Sequence, residues 1–296
     1  MSDGGETADQ QGRATMRSAM PPLGVMPKVR DYSFSRPGAS KRWWLNGDPI
    51  ASAIFDGLSA TFPQGERFFM DSLRPYRDEA PGALKDQITT FIIQEAMHTR
   101  EHVAFNRHIG AHGRDLQALE ARSKDVVDLA RASPPLQRLA ATAALEHFTA
   151  VLGHTVLANT EYLEGADEHI AGLWRWHSLE EIEHKAVAFD TLAYALRAKP
   201  APKRWMLRTR VMARMTRLFV GPTLGNIVQI LREDGLETKE ISWGLLRYLL
   251  VSPGLLWRSL PLCLAYYLPG FHPWKLDDRH LLLKAEGDLA LMMGET

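Results

Sequence analysis

The sequence predicts an all-α protein, a four-helix bundle with additional C-terminal helices. Three observations carry this. Apolar residues recur every three or four positions through four long segments between Asp48 and Pro200, and proline, glycine and short polar caps punctuate those segments. No segment in that interval alternates at period two, so no sheet is expected.

The first helix opens at Asp48, and Ile50, Ile54, Leu58 and Phe62 form a four-spaced stripe that buries one face. Pro63 and Gly65 are expected to interrupt it, with resumption through Glu66, Phe69 and Leu73 to about Tyr76. The second long helix runs from Pro81 to about Ile109, proline near its start and Gly110 near its end. A shorter helix covers Leu116 to Arg131 as a connection. Ser133-Pro134-Pro135 opens the third long helix, to about Leu163, and Gly165 separates it from the fourth, about Ala166 to Leu196. The bundle domain is therefore placed at 29–200. It follows an N-terminal segment, 1–28, whose polar composition without an apolar run predicts disorder and neither a signal peptide nor an anchor.

Residues 201–296 differ in character. No acid occurs between Asp190 and Glu233, while lysine and arginine accumulate there. An apolar stretch, Ile241 to Leu268, follows, broken by Arg247, Pro253, Gly254, Arg258 and Pro261. Those breaks argue against a clean transmembrane helix, which needs about 20 mainly apolar residues. Helices packed on the bundle are expected; a homodimer contact and a peripheral membrane surface are the other arrangements the pattern allows. Lys plus Arg and Asp plus Glu balance at 35 each, so overall charge selects no polyanionic partner, and the basic run lacks a nucleic-acid reading motif. The single cysteine, Cys263, excludes an internal disulfide and a thiolate cluster, and fits a reducing cytoplasm.

The chemistry lies in the bundle. Helical positions i, i+3 or i+4, and i+7 share a face, so Glu95, His98 and His102 project together, as do His177, Glu181 and His184. Each of the two helices thus carries Glu-x-x-His. Glu66, the only acid between Asp56 and Asp71, and Glu146, set among small and apolar residues, supply a carboxylate from each of the other two. Two lone glutamates plus two Glu-x-x-His motifs form the ligand recipe of a dimetal carboxylate site in a bundle. Bridging carboxylates offset the charge of two close cations, and imidazoles add neutral ligands. The predicted ligands are Glu66, Glu95, His98, Glu146, His177, Glu181 and His184. His102 is either a further ligand or a residue that orients one. Glu180 and Glu183 rival Glu181, whose spacing to both His177 and His184 favours it. Glu101 and His147 are rotated about 100° from better candidates, and Asp190 is placed either to orient a ligating imidazole or on the helix surface.

Two stretches carry a family resemblance: Trp174-Arg-Trp-His177-Ser-Leu-Glu-Glu181-Ile-Glu-His184-Lys-Ala-Val-Ala-Phe-Asp190 and Tyr267-Leu-Pro-Gly-Phe-His-Pro-Trp274. They resemble the bacterial proteins described as predicted metal-dependent hydrolases, over about Val29 to Trp274. More distantly the chain resembles the arylamine N-oxygenases, ferritin-like di-iron enzymes whose fourth helix carries His-x-x-x-Glu-x-x-His. His177, Glu181 and His184 meet that pattern, with Glu66, Glu95, His98 and Glu146 as companions; His102 lies outside it. The resemblance implies a ferritin-like fold and a pair of metal ions, iron by preference, with manganese and zinc as alternatives. The expected activity is O2-dependent oxidation of a small, hydrophobic substrate. Hydrolysis by a metal-bound hydroxide is the alternative, and a non-catalytic metal-binding or membrane-associated protein the third reading.

Overall fold

The computed structural model describes residues 25–34 and 41–294. Residues 1–24 of the expected N-terminal lead-in lie outside that range. Helices account for most of the described residues: α1 (Pro49–Ser59), α2 (Phe62–Arg77), α3 (Gly82–Ala111), α4 (Leu116–Arg131), α5 (Pro135–Ala158), α6 (Glu168–His184), α7 (Val187–Ala195), α8 (Ala201–Glu233), α9 (Thr238–Leu250), α10 (Leu255–Ala265) and α11 (Arg279–Met293). Among the described residues there is no strand, only an isolated bridge between Leu45 and Ala166.

Local chemistry sets the helix starts. The Asp48 carboxylate accepts from the amides of Ile50 and Ala51, and Asp167 does the same for His169 and Ile170, satisfying donors that have no partner within the helix. Glu237 and Glu240 form a reciprocal capping box on α9. Three boundaries differ from the periodicity reading. The first break falls at Ala60 and Thr61, not at Pro63, because a proline in the first turn of α2 has no intrahelical donor to lose. The third long helix stops at Ala158, where the Asn159 side-chain amide donates to the Thr155 carbonyl at 2.7 Å; a 3-10 turn, Thr160–Leu163, covers the rest. The fourth is two helices, α6 and α7, parted just after His184. There Lys185 reaches out of the bundle to Asp278 (2.6 Å) and to the Leu276 carbonyl (2.9 Å).

α2 packs along α3 and α5 along α6, with α7 continuing against α3 and α5; α4 crosses to join the two pairs. Gly153 permits the close approach of α5 to α6, since a Cβ there would lie 2.9 Å from the Ser178 carbonyl oxygen. α8 lies across α1, α4 and α5, α11 packs on α6, and α9 and α10 pack on α1 and α5 respectively. Two apolar cores result, one around Phe55, Trp174 and Trp176, the other around Phe68, Phe91 and Leu139. Phe62 of the first core stacks on His177 (4.9 Å between centroids), and Phe91 of the second touches His184 (4.8 Å). The histidine and glutamate residues therefore sit where the cores meet.

The Tyr267–Trp274 segment fastens this assembly. His272 pairs with Asp190 at 3.0 Å, Trp274 lies under the Lys185 ammonium, and the Arg208 guanidinium covers Tyr266 while donating to the Leu268 carbonyl. Asp190 thus orients His272 and no residue of the bundle centre. A second buried network joins Arg114 to Asp56 (2.6 Å) and Asp234 (2.8 Å), tying α1 to the end of α8.

Candidate metal centre

All seven predicted ligand residues converge in the bundle interior, each at most 4% exposed. Glu66 comes from α2, Glu95 and His98 from α3, Glu146 from α5, and His177, Glu181 and His184 from α6. Their polar atoms crowd together. His184 Nε2 is 3.4 Å from Glu95, 3.5 Å from Glu146 and 3.3 Å from Glu181. His177 Nε2 is 3.2 Å from Glu181, and His98 Nδ1 is 3.7 Å from the same carboxylate.

This cluster is incomplete as a hydrogen-bonded core. Both carboxylate oxygens of Glu95 and of Glu146, one each of Glu66 and Glu181, and His98 Nδ1, His177 Nε2 and His184 Nε2 are buried without a hydrogen-bond partner among the described residues. Each orphaned polar atom in an interior is costly, and native proteins rarely tolerate several together. Nine such atoms from seven residues, six carboxylate oxygens and three imidazole nitrogens, have the chemistry of a donor set that could hold metal cations. Subsets such as Glu95, Glu181 and His184, or His98, His177 and Glu181, have donor atoms within 4.8 Å of one another.

The electrostatics agree. Burial, followed by repulsion from neighbouring carboxylates, pushes Glu95 and Glu146 well above the ordinary carboxylate range. Burial raises Glu66 likewise, although the Thr99 hydroxyl donating at 2.8 Å opposes it. For Glu181 burial acts upward too, yet His184 and His177 beside it overcome that and hold it well below the usual range. Burial and then His177 push His98 well below the usual imidazole value.

A surrounding layer fixes the imidazoles. His98 Nε2 is 3.1 Å from Glu180, which also accepts from the Trp176 indole and lies 3.5 Å from Arg30; this turns Nδ1 inward. His184 Nδ1 is 3.3 Å from the Gln94 carbonyl oxygen, leaving Nε2 inward, while Gln94 donates to Glu183 and to the Lys28 carbonyl. Arg30 closes the set with two hydrogen bonds to Glu183. Glu180 and Glu183, the rivals of Glu181, are therefore supports of the imidazoles. Glu101 accepts from the Phe34 amide, and His147 Nε2 meets the Leu262 carbonyl; neither faces the cluster's centre.

His102 has a nitrogen near Glu66 and His177, but both its ring nitrogens are engaged. Nε2 is 3.0 Å from His177 Nδ1, and Nδ1 is 2.8 Å from Ser59 Oγ, whose hydroxyl donates to Asn106 at 2.6 Å. One proton order satisfies the chain: His177 Nδ1–H donates to His102, His102 Nδ1–H to Ser59, and Ser59 to Asn106. That order leaves the His177 Nε2 lone pair facing the carboxylates. His102→Leu is accordingly expected to weaken metal binding about 10–100-fold while leaving the saturating stoichiometry unchanged. Titration of Fe(II) into the metal-free variant checks this; loss of a metal equivalent at saturation would make His102 a ligand.

Residues the sequence reading missed are Arg30, Ser59, Gln94 and Asn106. Only Gln94 carries a local signal, one residue before Glu95 and one turn before His98.

A four-helix bundle with carboxylates turned inward from all four long helices, and imidazoles from two of them, has the architecture of the ferritin-like class. Residues 28–277 match the profile of the family described as predicted metal-dependent hydrolase, and the chain belongs to that family. Among solved structures, the fold matches a point variant of an R2-like ligand-binding oxidase with an aerobically reconstituted Mn/Fe cofactor. The TM-score is 0.50 at 13% identity, over 90% of this chain and 98% of that one. A second variant of that oxidase, with the same kind of cofactor, gives 0.44 at 14% identity over 100% and 98%. No curated protein sequence matches the chain. At 13% identity the first likeness is one of fold.

Proposed function

We propose that Glu66, Glu95, His98, Glu146, His177, Glu181 and His184 hold two metal ions, iron by preference, and that the protein oxidises a small apolar substrate with O2. The observation that carries the metal assignment is the convergence of nine unpartnered buried donor atoms on one point. Two bound iron ions would supply the electrons for reduction of dioxygen.

The surroundings favour oxidation. A narrow apolar cavity of about 60 Å³ runs up to Glu66, His177 and Glu181, walled by Phe62, Phe69, Val127, Leu145, Met215 and Phe219 among others. Apart from those three residues its lining holds no acid or base, only the hydroxyls of threonine and serine. A hydrolase would need a proton donor for its leaving group near the scissile bond, and none besides the three proposed ligands lines this space. Ser123 Oγ, buried in the cavity wall without a hydrogen-bond partner among the described residues, is placed to receive the one polar group of an otherwise apolar molecule. The oxidase whose fold this chain shares carries a Mn/Fe cofactor, which supports a redox metal pair here.

The family's description favours the second reading, hydrolysis by a metal-activated water. Metal analysis followed by anaerobic reduction and exposure to O2 separates the two. About two iron ions per chain and a transient visible absorption on O2 addition are the expected result. Bound zinc with no O2-dependent spectral change would overturn the oxidase reading in favour of hydrolysis.

A further inference from the structure

We infer that α9 and α10 form a surface that docks this protein on an anionic lipid bilayer. This surface stands apart from the metal reading and does not depend on it.

The two helices are inverted relative to an ordinary surface helix. On α9 the inward positions are Ile241, Leu245 and Tyr248, yet the outward stripe is apolar as well: Trp243 is 67% exposed, Leu246 47% and Leu250 50%. α10 repeats this with Trp257 at 72%, Leu260 at 42% and Leu264 at 54%, and Val251 at the joint is 73% exposed. Contiguous apolar exposure on this scale marks a contact surface rather than scattered tolerance. Outward tryptophans fit the boundary between headgroups and acyl chains.

The geometry suits lying in a leaflet and not crossing it. α9 has 13 residues and α10 has 11, so they measure about 20 Å and about 16 Å, short of the roughly 30 Å hydrocarbon core. No single helix among the described residues is long and apolar enough to span. Together α9 and α10 reach the hydropathy of a span but bend by 54° at their break.

Charge selects the occupant. From Ile241 to Leu276 there is no acidic residue, and Arg258 of α10 is paired with Glu161 at 2.6 Å, which leaves Arg247 as the cation of the α9 stripe. Arg247, exposed on the α9 stripe one turn beyond Trp243, makes no ion pair among the described residues. Trp205 and buried Arg208, donating to the Tyr267 and Leu268 carbonyls at 2.9 Å, anchor the N-terminal part of α8 beside the end of α10, and there Lys203 and Arg210 are exposed. Lipid phosphates would neutralise Arg247, Lys203 and Arg210 while the apolar stripes enter the acyl region, the arrangement of monotopic helices.

Behind this face a small apolar cavity of about 20 Å³ is lined by Phe62, His177 and Leu255, the first residue of α10.

The test is co-sedimentation of the full-length, metal-loaded protein with vesicles of phosphatidylcholine, alone or with phosphatidylglycerol, alongside sedimentation velocity without lipid. Binding is expected to vesicles containing phosphatidylglycerol and to weaken with salt. Arg247→Gln should lower partition about fivefold, and the double variant Trp243→Ser with Trp257→Ser at least about tenfold. Both variants should keep the far-UV circular dichroism and metal content of the parent. No vesicle binding, or binding unchanged in the folded double variant, would overturn the inference. A dimer that the tryptophan substitutions dissociate, without vesicle binding, would assign the face to a second copy instead.

Discussion

Glu146→Ala is expected to cut bound metal from about two ions per chain to one or none, and to abolish any metal-dependent activity with it. Both Glu146 oxygens are buried and make no hydrogen bond among the described residues, 3.5 Å at the closest from His184 Nε2, so the side chain adds little to a metal-free interior. This separates a ligand from a structural residue. Removing a buried carboxyl that makes no hydrogen bond relieves a desolvation cost. The metal-free variant should therefore match or exceed metal-free wild type in urea denaturation, while the metal-loaded comparison runs the other way. A variant that keeps two ions per chain, or one destabilised equally with and without metal, contradicts the assignment.

The second large effect concerns metal removal and pH. In the metal-free protein burial and mutual repulsion raise Glu95 and Glu146, burial raises Glu66, and burial pushes Glu180 up to about 8. Folding then retains protons that the unfolded chain releases near the ordinary glutamate value of about 4.3, so stability falls as pH rises above it. His98 and His102, both lowered by burial and then His177, act oppositely: their cost is present in acid and vanishes as the unfolded imidazoles lose their protons near about pH 6.5. The trends oppose below that value. From about pH 6.5 to about 8 only the carboxylates act, and chelated protein should lose stability steadily. Bound cations keep Glu66, Glu95 and Glu146 ionised, so the gap in urea midpoint between loaded and chelated protein should widen with pH across this window. A gap that is constant or narrows would count against carboxylate ligation.

How much of this was legible in the sequence follows from the range of each interaction. The seven convergent residues could be read because helical spacing alone puts Glu95 with His98, and Glu181 with His177 and His184, on common faces. Glu66 and Glu146 stood out as single acids in apolar surroundings. The supports of the imidazoles could not be read. Arg30 meets Glu183 across 153 residues, and the role of His102 depends on Ser59 and Asn106, from two other positions in the chain. The break at Ala60–Thr61 was signalled by Pro63 but placed a few residues late, whereas the break after His184 carries no proline or glycine and left no local signal. In the C-terminal region the apolar periodicity was visible, but which stripe faces inward is decided by packing on α1 and α5. That Trp243 and Trp257 remain outside is a property of the fold.

Anomalous diffraction from crystals of the Fe(II)-loaded protein, collected above and below the iron edge, tests the central claim most directly. The account predicts two anomalous peaks about 3.5–4 Å apart, enclosed by Glu66, Glu95, His98, Glu146, His177, Glu181 and His184. A single peak, or iron bound only outside this cluster, would contradict it.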